Sequence, residues 1–315
     1  MTTPTDYERL CQENIRRYGE DTWYTELLEG LYTERTHFIL ELLQNAEDKK
    51  ARRIRFDLYA DRLEVRHDGT PFDEPDVRGI CGIGKSTKKG DLTQIGKFGI
   101  GFKSVYAFTE APEIHSGSEH FRIGTYVRPR GIPTREISTE WTTLFVLPFT
   151  RTEVVPVVCE REIGERLAKL DVRTMLFLRH IEEILWWREA GGEGCYLRAP
   201  ATDGAARHVT LVGQNNLSEE EEHWLVFEAP VCEGTTTEPL RIEAAFRLAK
   251  DEKSAREEVV RTENAVLTVF FPTHTETHLG FIIQGPYRTT LGRDNIPSDV
   301  EWNQRLVNET AALCL

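Results

Sequence analysis

The feature that most constrains this chain is a glycine-spaced run, Ile95-Gly96-Lys97-Phe98-Gly99-Ile100-Gly101-Phe102-Lys103-Ser104. Three glycines in six residues remove the Cβ atoms that keep a backbone away from its neighbours, so a ligand or second segment can approach the main chain closely. The residues that follow, FKSVYAFT, predict a helix. A helix start offers unpaired N–H donors and a favourable dipole, which suits a phosphate.

A second run competes for that role. Gly79 to Ser86, GICGIGKS, matches the P-loop pattern letter for letter. The pattern has meaning only where a buried strand enters the loop and a helix leaves it. Here the entering residues DEPDVR are acidic and broken by proline, and the leaving residues TKKGDLTQIG hold two glycines and almost no apolar face. No later apolar strand ends in an Asp that would hold magnesium, so the P-loop reading is set aside.

The chain upstream supplies regular elements. Residues 6 to 30 read as helical, and Thr33, Thr36 and FILELLQNAED begin a longer amphipathic helix. In it Phe38, Leu42 and Leu43 face a core, while Glu41, Asn45 and Asp48 form another stripe. ARRIRFDLYA and DRLEVRH alternate like a β-hairpin that ends at the turn Asp68-Gly69-Thr70-Pro71. FRIGTYV and WTTLFVLPF read as strands, and a boundary is expected near residue 150. Beyond it come a charged helix, CEREIGERLAKL, and the strand-like runs EEILWW, HVTLVG, HWLVFEAP, RIEAAFRLA, AVLTVFFPT and LGFIIQGPY. The acidic run Glu219 to Glu222 reads as a solvated turn or helix start capped by Ser218.

At 315 residues the chain has room for two domains, 1–150 and 151–315, and 39% hydrophobic with 29% charged residues is a globular composition. The net charge of -13 argues against general affinity for nucleic acid, whose phosphates the average surface repels. The basic stretch Arg122 to Arg135 reads as a solvated hairpin surface. No apolar run approaches the ~20 residues that span a bilayer. Six scattered cysteines form no CxxC pair, so neither a disulfide framework nor a zinc site is expected, and the expected compartment is a reducing cytoplasm.

Four segments carry a chemistry when taken together. Glu41 and Asn45, at i and i+4, put a carboxylate and an amide on one helix face. An amide oxygen suits magnesium, which takes few protein ligands, and a carboxylate one turn away can deprotonate a water. Asp68, at a strand end, is a fixed acceptor; the glycine run suits phosphates; and Thr143 lies in the strand TTLFVL.

In this order, ELLQNAED, DGTPF, IGKFGIGFKSVY and TTLFVL resemble the nucleotide-binding motifs of the GHKL superfamily. The spellings are most similar to its sacsin-like branch, related to the ninety-kilodalton heat-shock chaperone. The resemblance implies an α+β fold: a Bergerat ATP-binding α/β sandwich, a mixed sheet with helices on one face, followed by a second transducer- or middle-like α/β domain. It implies a magnesium-dependent ATPase with Glu41 as general base and Asn45 as metal ligand. Asp68 would contact the adenine amino group, and Thr143 the adenine through water. The nucleotide set becomes Asn45, Asp48, Asp68, Gly69, Phe72, Lys85, Ser86, Gly96, Lys97, Phe98, Gly99, Ile100, Gly101, Phe102 and Thr143. Residues Asp73 to Gln94 fall where the family has its ATP lid, and Pro71 stands where many members have a second glycine.

FFPTHTETHLGFIIQGPYRTTLGRDNI resembles the branch's following domain, which implies that Arg293, with Gln284 and Arg288 as neighbours, reaches the γ-phosphate. An arginine on an exposed loop is the other reading. The expected partners are ATP and either a second copy upon ATP binding or further domains or proteins, with neither a membrane nor direct nucleic-acid contact. A nucleotide-dependent interaction module with negligible turnover, or an ATP-regulated, nucleic-acid-associated defence component, is the alternative.

Overall fold

The computed structural model describes residues 4–21, 24–29, 34–83, 101–203, 206–216, 218–231, 240–250, 257–289 and 295–314. They form a mixed α+β structure in two compact units, 1–170 with 183–195, and 171–182 with 196–315. Among the described residues no helix is long and apolar enough to cross a membrane.

The first unit contains helices α1 (Tyr7–Tyr18), α2 (Tyr24–Glu29), α3 (Phe38–Asp48), α4 (Glu74–Ile80) and α5 (Pro156–Ala168). Its strands are β1 (Arg53–Leu58), β2 (Arg62–His67), β3 (Glu113–Ser116), β4 (Glu119–Gly124), β5 (Arg128–Gly131), β6 (Thr143–Pro148) and β7 (Glu183–Arg188). The sheet order is β7-β1-β2-β6-β3-β4-β5. β1 and β7 pair in parallel and every other neighbour is antiparallel. Alternation sets its faces. Ile54, Phe56 and Leu58 of β1 oppose His67, Val65 and Leu63 of β2, and all six are fully or almost fully buried.

The other face is charged yet closed by its own pairs. Glu64, 1% exposed, accepts from Arg62 Nε and Arg135 Nη2, each at 2.8 Å, and also from Arg66. A carboxylate taken out of water persists only when so paired.

The second unit orders its strands β8-β9-β10-β11-β15-β13-β14, with β12 on β11. These are β8 (Glu193–Asp203), β9 (Ala206–Asn215), β10 (Ser218–Val231), β11 (Leu240–Lys250), β12 (Glu257–Val260), β13 (Val266–Val269), β14 (Phe271–Glu276) and β15 (Ile282–Gln284). Helix α6 (Glu301–Leu313) contributes Trp302 and Leu306 to a core with Val231, Ile242, Leu267, Val269 and Tyr287.

Three sequence expectations are corrected. The helical stretch from 6 to 30 is broken, because α1 ends at Gly19, whose φ of 88° lies in the left-handed region. FKSVYAFT winds as a 3-10 turn over Gly101–Ala107 rather than as a longer helix. Glu219 to Glu222 is neither a turn nor a helix start: it belongs to β10. Glu222 is 1% exposed there, receiving Arg173 Nη2 at 2.7 Å and Trp224 Nε1 at 3.0 Å. The acidic run hid this, since solvation is the commoner fate of four glutamates and only the cross-strand partners make burial tolerable. The strand expected to be absent before the P-loop-like run is indeed absent: residues 74–80 are α4, capped by Asp73 and Asp76.

Glu222→Ala strands Arg173 and the Trp224 indole N–H. It is expected to lower unfolding stability by about 3 kcal/mol, read by urea titration.

Candidate functional site

α3 buries Phe38, Ile39, Leu42, Leu43 and Ala46 and leaves Glu41, Asn45 and Asp48 on its polar stripe. A 3-10 turn at Arg35–His37 leads into it. From that turn His37, whose side chain is 7% exposed, meets Glu41 Oε1 through Nε2 at 3.0 Å. The second carboxylate oxygen points at Gly101. A Cβ built on Gly101 would fall 1.8 Å from Glu41 Oε2, so no other residue fits there without moving the carboxylate. Asn45 has no side-chain partner among the described residues. Asp48 keeps a solvent-facing side but is crowded by protein atoms; this desolvation, with Glu47 and Glu41 beside it, pushes its carboxyl up to about 6.

The turn after β2 is bound to the end of α3. Asp68 Oδ1 accepts the backbone N–H of Arg52 at 2.8 Å and of Arg53 at 2.9 Å. Thr70 donates its N–H to Lys49 O at 2.8 Å. A Cβ on Gly69 would lie 2.6 Å from that same carbonyl, which explains the glycine. On the other side Thr142 donates Oγ1–H to Gly69 O. Thr143, paired with His67 across β2 and β6, shares a 2.6 Å hydrogen bond with Ser116 of β3, and Ser116 Oγ accepts the N–H of Phe72 at 2.9 Å.

Phe145 of β6 gathers the remaining pieces. Its ring centroid lies 6.1 Å from His67, 6.0 Å from Phe72 and 5.9 Å from Phe102. His67 accepts the Gly69 N–H on Nδ1 at 3.2 Å, and its buried Nε2 finds no partner among the described residues. Burial, with Lys49 nearby, holds its pKa down at about 3, so it stays a neutral imidazole. Lys49 lies 5.3 Å over the Phe72 ring and pairs with Asp76 of α4.

The structure thus brings Glu41 against Gly101, the Asp68–Phe72 turn against the end of α3 and Thr143, and Phe72 with Phe102 onto Phe145. Lys85, Ser86, Gly96, Lys97, Phe98, Gly99, Ile100 and Arg293 lie outside the described residues, as does the second half of the expected lid, residues 84–94. His37, His67 and Ser116 escaped the sequence reading. His37 was findable, one helical turn before Glu41; Ser116 depends on the register of β3 against β6.

Comparison with known proteins places these residues in company. Residues 63–124 match the model of the Sacsin domain. Human Sacsin is 38% identical over 106 residues, covering 28% of this chain and 2% of that protein. Protein NO VEIN of Arabidopsis thaliana is 28% identical over 316 residues, covering 91% of this chain and 11% of that protein. The likeness to the Sacsin domain thus lies in residues 63–124, which hold Asp68 and Gly101 but not Glu41, Asn45 or Thr143. The chain spans only a small part of the length of either relative. The crystal structure of the N-terminal domain of a DNA repair protein superposes with a TM-score of 0.48 at 10% identity, covering 91% of this chain and 95% of that one.

Gly101→Ala is expected to cost ~1–3 kcal/mol through overpacking against Glu41. Adding Glu41→Ala should recover at least ~1 kcal/mol of it, a coupling read from urea midpoints of the double-mutant cycle.

Asp48 supplies a pH test. Its folded pKa lies above its ordinary value, so the stability it contributes is present below about pH 4 and lost as pH rises through about 6. Against Asp48→Asn, the wild type should lose stability across that window.

Proposed function

We propose that the first unit binds ATP with magnesium in a Bergerat-type site and hydrolyses the terminal phosphate. What supports this reading most is one observation: four motif segments spread from Glu41 to Thr143 converge, with Glu41 lying on the α-carbon of Gly101.

The residues present fit the groups they would receive. Asn45, without a side-chain partner among the described residues, offers its amide oxygen on the same stripe as Glu41, suited to an ion that keeps most of its waters. Bound magnesium would offset charge on the phosphate oxygens and leave the remaining work to the protein. The Cα of Gly101 faces the base without a side chain between them, and the glycines before it in sequence suit close approach of phosphate. Asp68 is held by two backbone donors on Oδ1, so Oδ2 is the oxygen left for an exocyclic amino group.

Glu41 acts as general base. Its Oε1 is tethered by His37, which fixes the carboxylate's rotamer for taking the proton of the attacking water. Thr143 is oriented by Ser116, and its hydroxyl would serve the base end of the nucleotide. Arg293, in TTLGRDNI, would stabilise negative charge on the transferring phosphoryl group. Nucleotide would then bias the arrangement of the units or of subunits.

Phosphate release and nucleotide binding, measured together, test the proposal. Glu41→Ala should lose ~10²–10⁴ in release while still binding ATP, as expected for a lost general base. Equal release by Glu41→Ala would refute Glu41 as base. Binding without release in the wild type would favour a nucleotide-dependent interaction module.

A further inference from the structure

A lysine inside the glycine-run motif takes no part in the chemistry above, yet it is among the most enclosed groups of the first unit. Lys103 is 2% exposed. Its Nζ donates to Ile80 O and to Tyr126 O, both at 2.5 Å. Beside it, Asn14 of α1 donates Nδ2–H to Cys81 O at 3.2 Å and to Val127 O at 2.7 Å. Two side-chain nitrogens therefore bridge two consecutive pairs of carbonyls, 80 with 126 and 81 with 127. They tie the end of α4 to the β4–β5 connection, where no strand pairing does so. Tyr18 extends the tie: its hydroxyl accepts the N–H of Ile83 at 3.0 Å.

Lys103 also belongs to the 3-10 turn that starts at Gly101, two residues away. Ser104 Oγ closes that turn on Gly101 O at 2.6 Å. Tyr106 of the same turn donates to Ile123 O at 2.9 Å and stacks on Tyr126, ring centroids 3.9 Å apart. Lys103 thus links the turn that begins at Gly101 to α4 and to the β4–β5 connection.

We propose that Lys103 is a positioning residue for the hydrolytic site: with Asn14 it locks the turn that presents Gly101 to Glu41. The inference rests on ATP hydrolysis at Glu41. Among the described residues the titratable side chain that acts on Lys103 is Cys81 at the end of α4, with Cys11 of α1 and Tyr106 near Cys81 in turn. None of these is a carboxylate.

Burial holds the Lys103 ammonium down at about 8 and pushes the Cys81 thiol up to about 12. Below pH 8 the amine is charged and its hydrogen bonds to the two carbonyls are at their strongest; above, the charge assistance is lost. Stability runs the other way. The folded pKa lies below the ordinary 10.5, so the cost of burying the ammonium is present below about 8 and relieved as pH rises toward 10.5. A lysine that only filled space would not separate these two trends.

The test follows ATP turnover and urea stability from pH 7 to 10.5 in the wild type, Lys103→Met and Asn14→Leu. Wild-type turnover should fall on the order of tenfold around pH 8 while stability rises, the loss reflecting a displaced base. Lys103→Met should turn over slowly at every pH, without that limb and without the stability rise. Asn14→Leu should lower turnover and keep the limb. A limb that persists in Lys103→Met, or wild-type turnover unchanged through pH 8 to 10, overturns the inference while leaving hydrolysis intact. If Lys103→Met fails to fold, the wild-type profile and Asn14→Leu still decide. A wild type that neither binds nor hydrolyses ATP removes the parent reading, and this one with it.

Discussion

The contact between the Glu41 carboxylate and the bare α-carbon of Gly101 is the constraint on which the site's geometry depends. It joins the third helix to a turn some sixty residues later, and it works only because one partner lacks a side chain. Around it the structure spends its buried polar groups on holding that approach. His37 tethers one oxygen of Glu41, Ser104 closes the turn on Gly101, and Lys103 with Asn14 binds the turn to its surroundings. Each uses a side-chain donor where strand pairing is absent, which is how irregular backbone is kept in place when buried.

Phe145 plays the complementary, apolar part. It lies in a strand buried along nearly its whole length and receives His67, Phe72 and Phe102 from three different segments. Aromatic contacts of this kind tolerate small adjustments, whereas the polar contacts set direction. The pairing of Thr143 with Ser116, and of Ser116 with the Phe72 amide, then orients the turn that carries Asp68. The same economy governs the charged face of the sheet, where Glu64 and Asp57 are buried under arginines. The acidic balance of the whole chain is therefore a poor guide to any one surface.

Local pattern made much of this legible. The apolar spacing of FILELLQNAED forms α3 as expected, because a period near 3.6 allows one continuous buried face. The alternation in RIRFDL and RLEVRH forms the β1–β2 hairpin for the analogous reason. DEPDVR is a capped helix and not a strand, as its acids and proline required. Pattern failed where a tertiary partner changed the outcome. Glu222 is buried because Arg173 and Trp224 come to it from elsewhere, and FKSVYAFT tightens to a 3-10 turn whose side chains reach carbonyls on α4 and the β4–β5 hairpin.

The sequence by itself determined the elements and the kinds of side chain available: a carboxylate and an amide one turn apart, an acceptor at a strand end, glycines where the backbone must be approached. It could do so because periodicity and backbone freedom are local properties. Which groups meet was decided only in three dimensions. That His37 holds Glu41 follows from helical spacing once α3 and its leading turn are built. That Glu41 faces Gly101, Ser116 faces Thr143 and Lys103 spans Ile80 and Tyr126 does not. Those meetings are set by sheet register and by segments far apart in the chain, which no local pattern encodes.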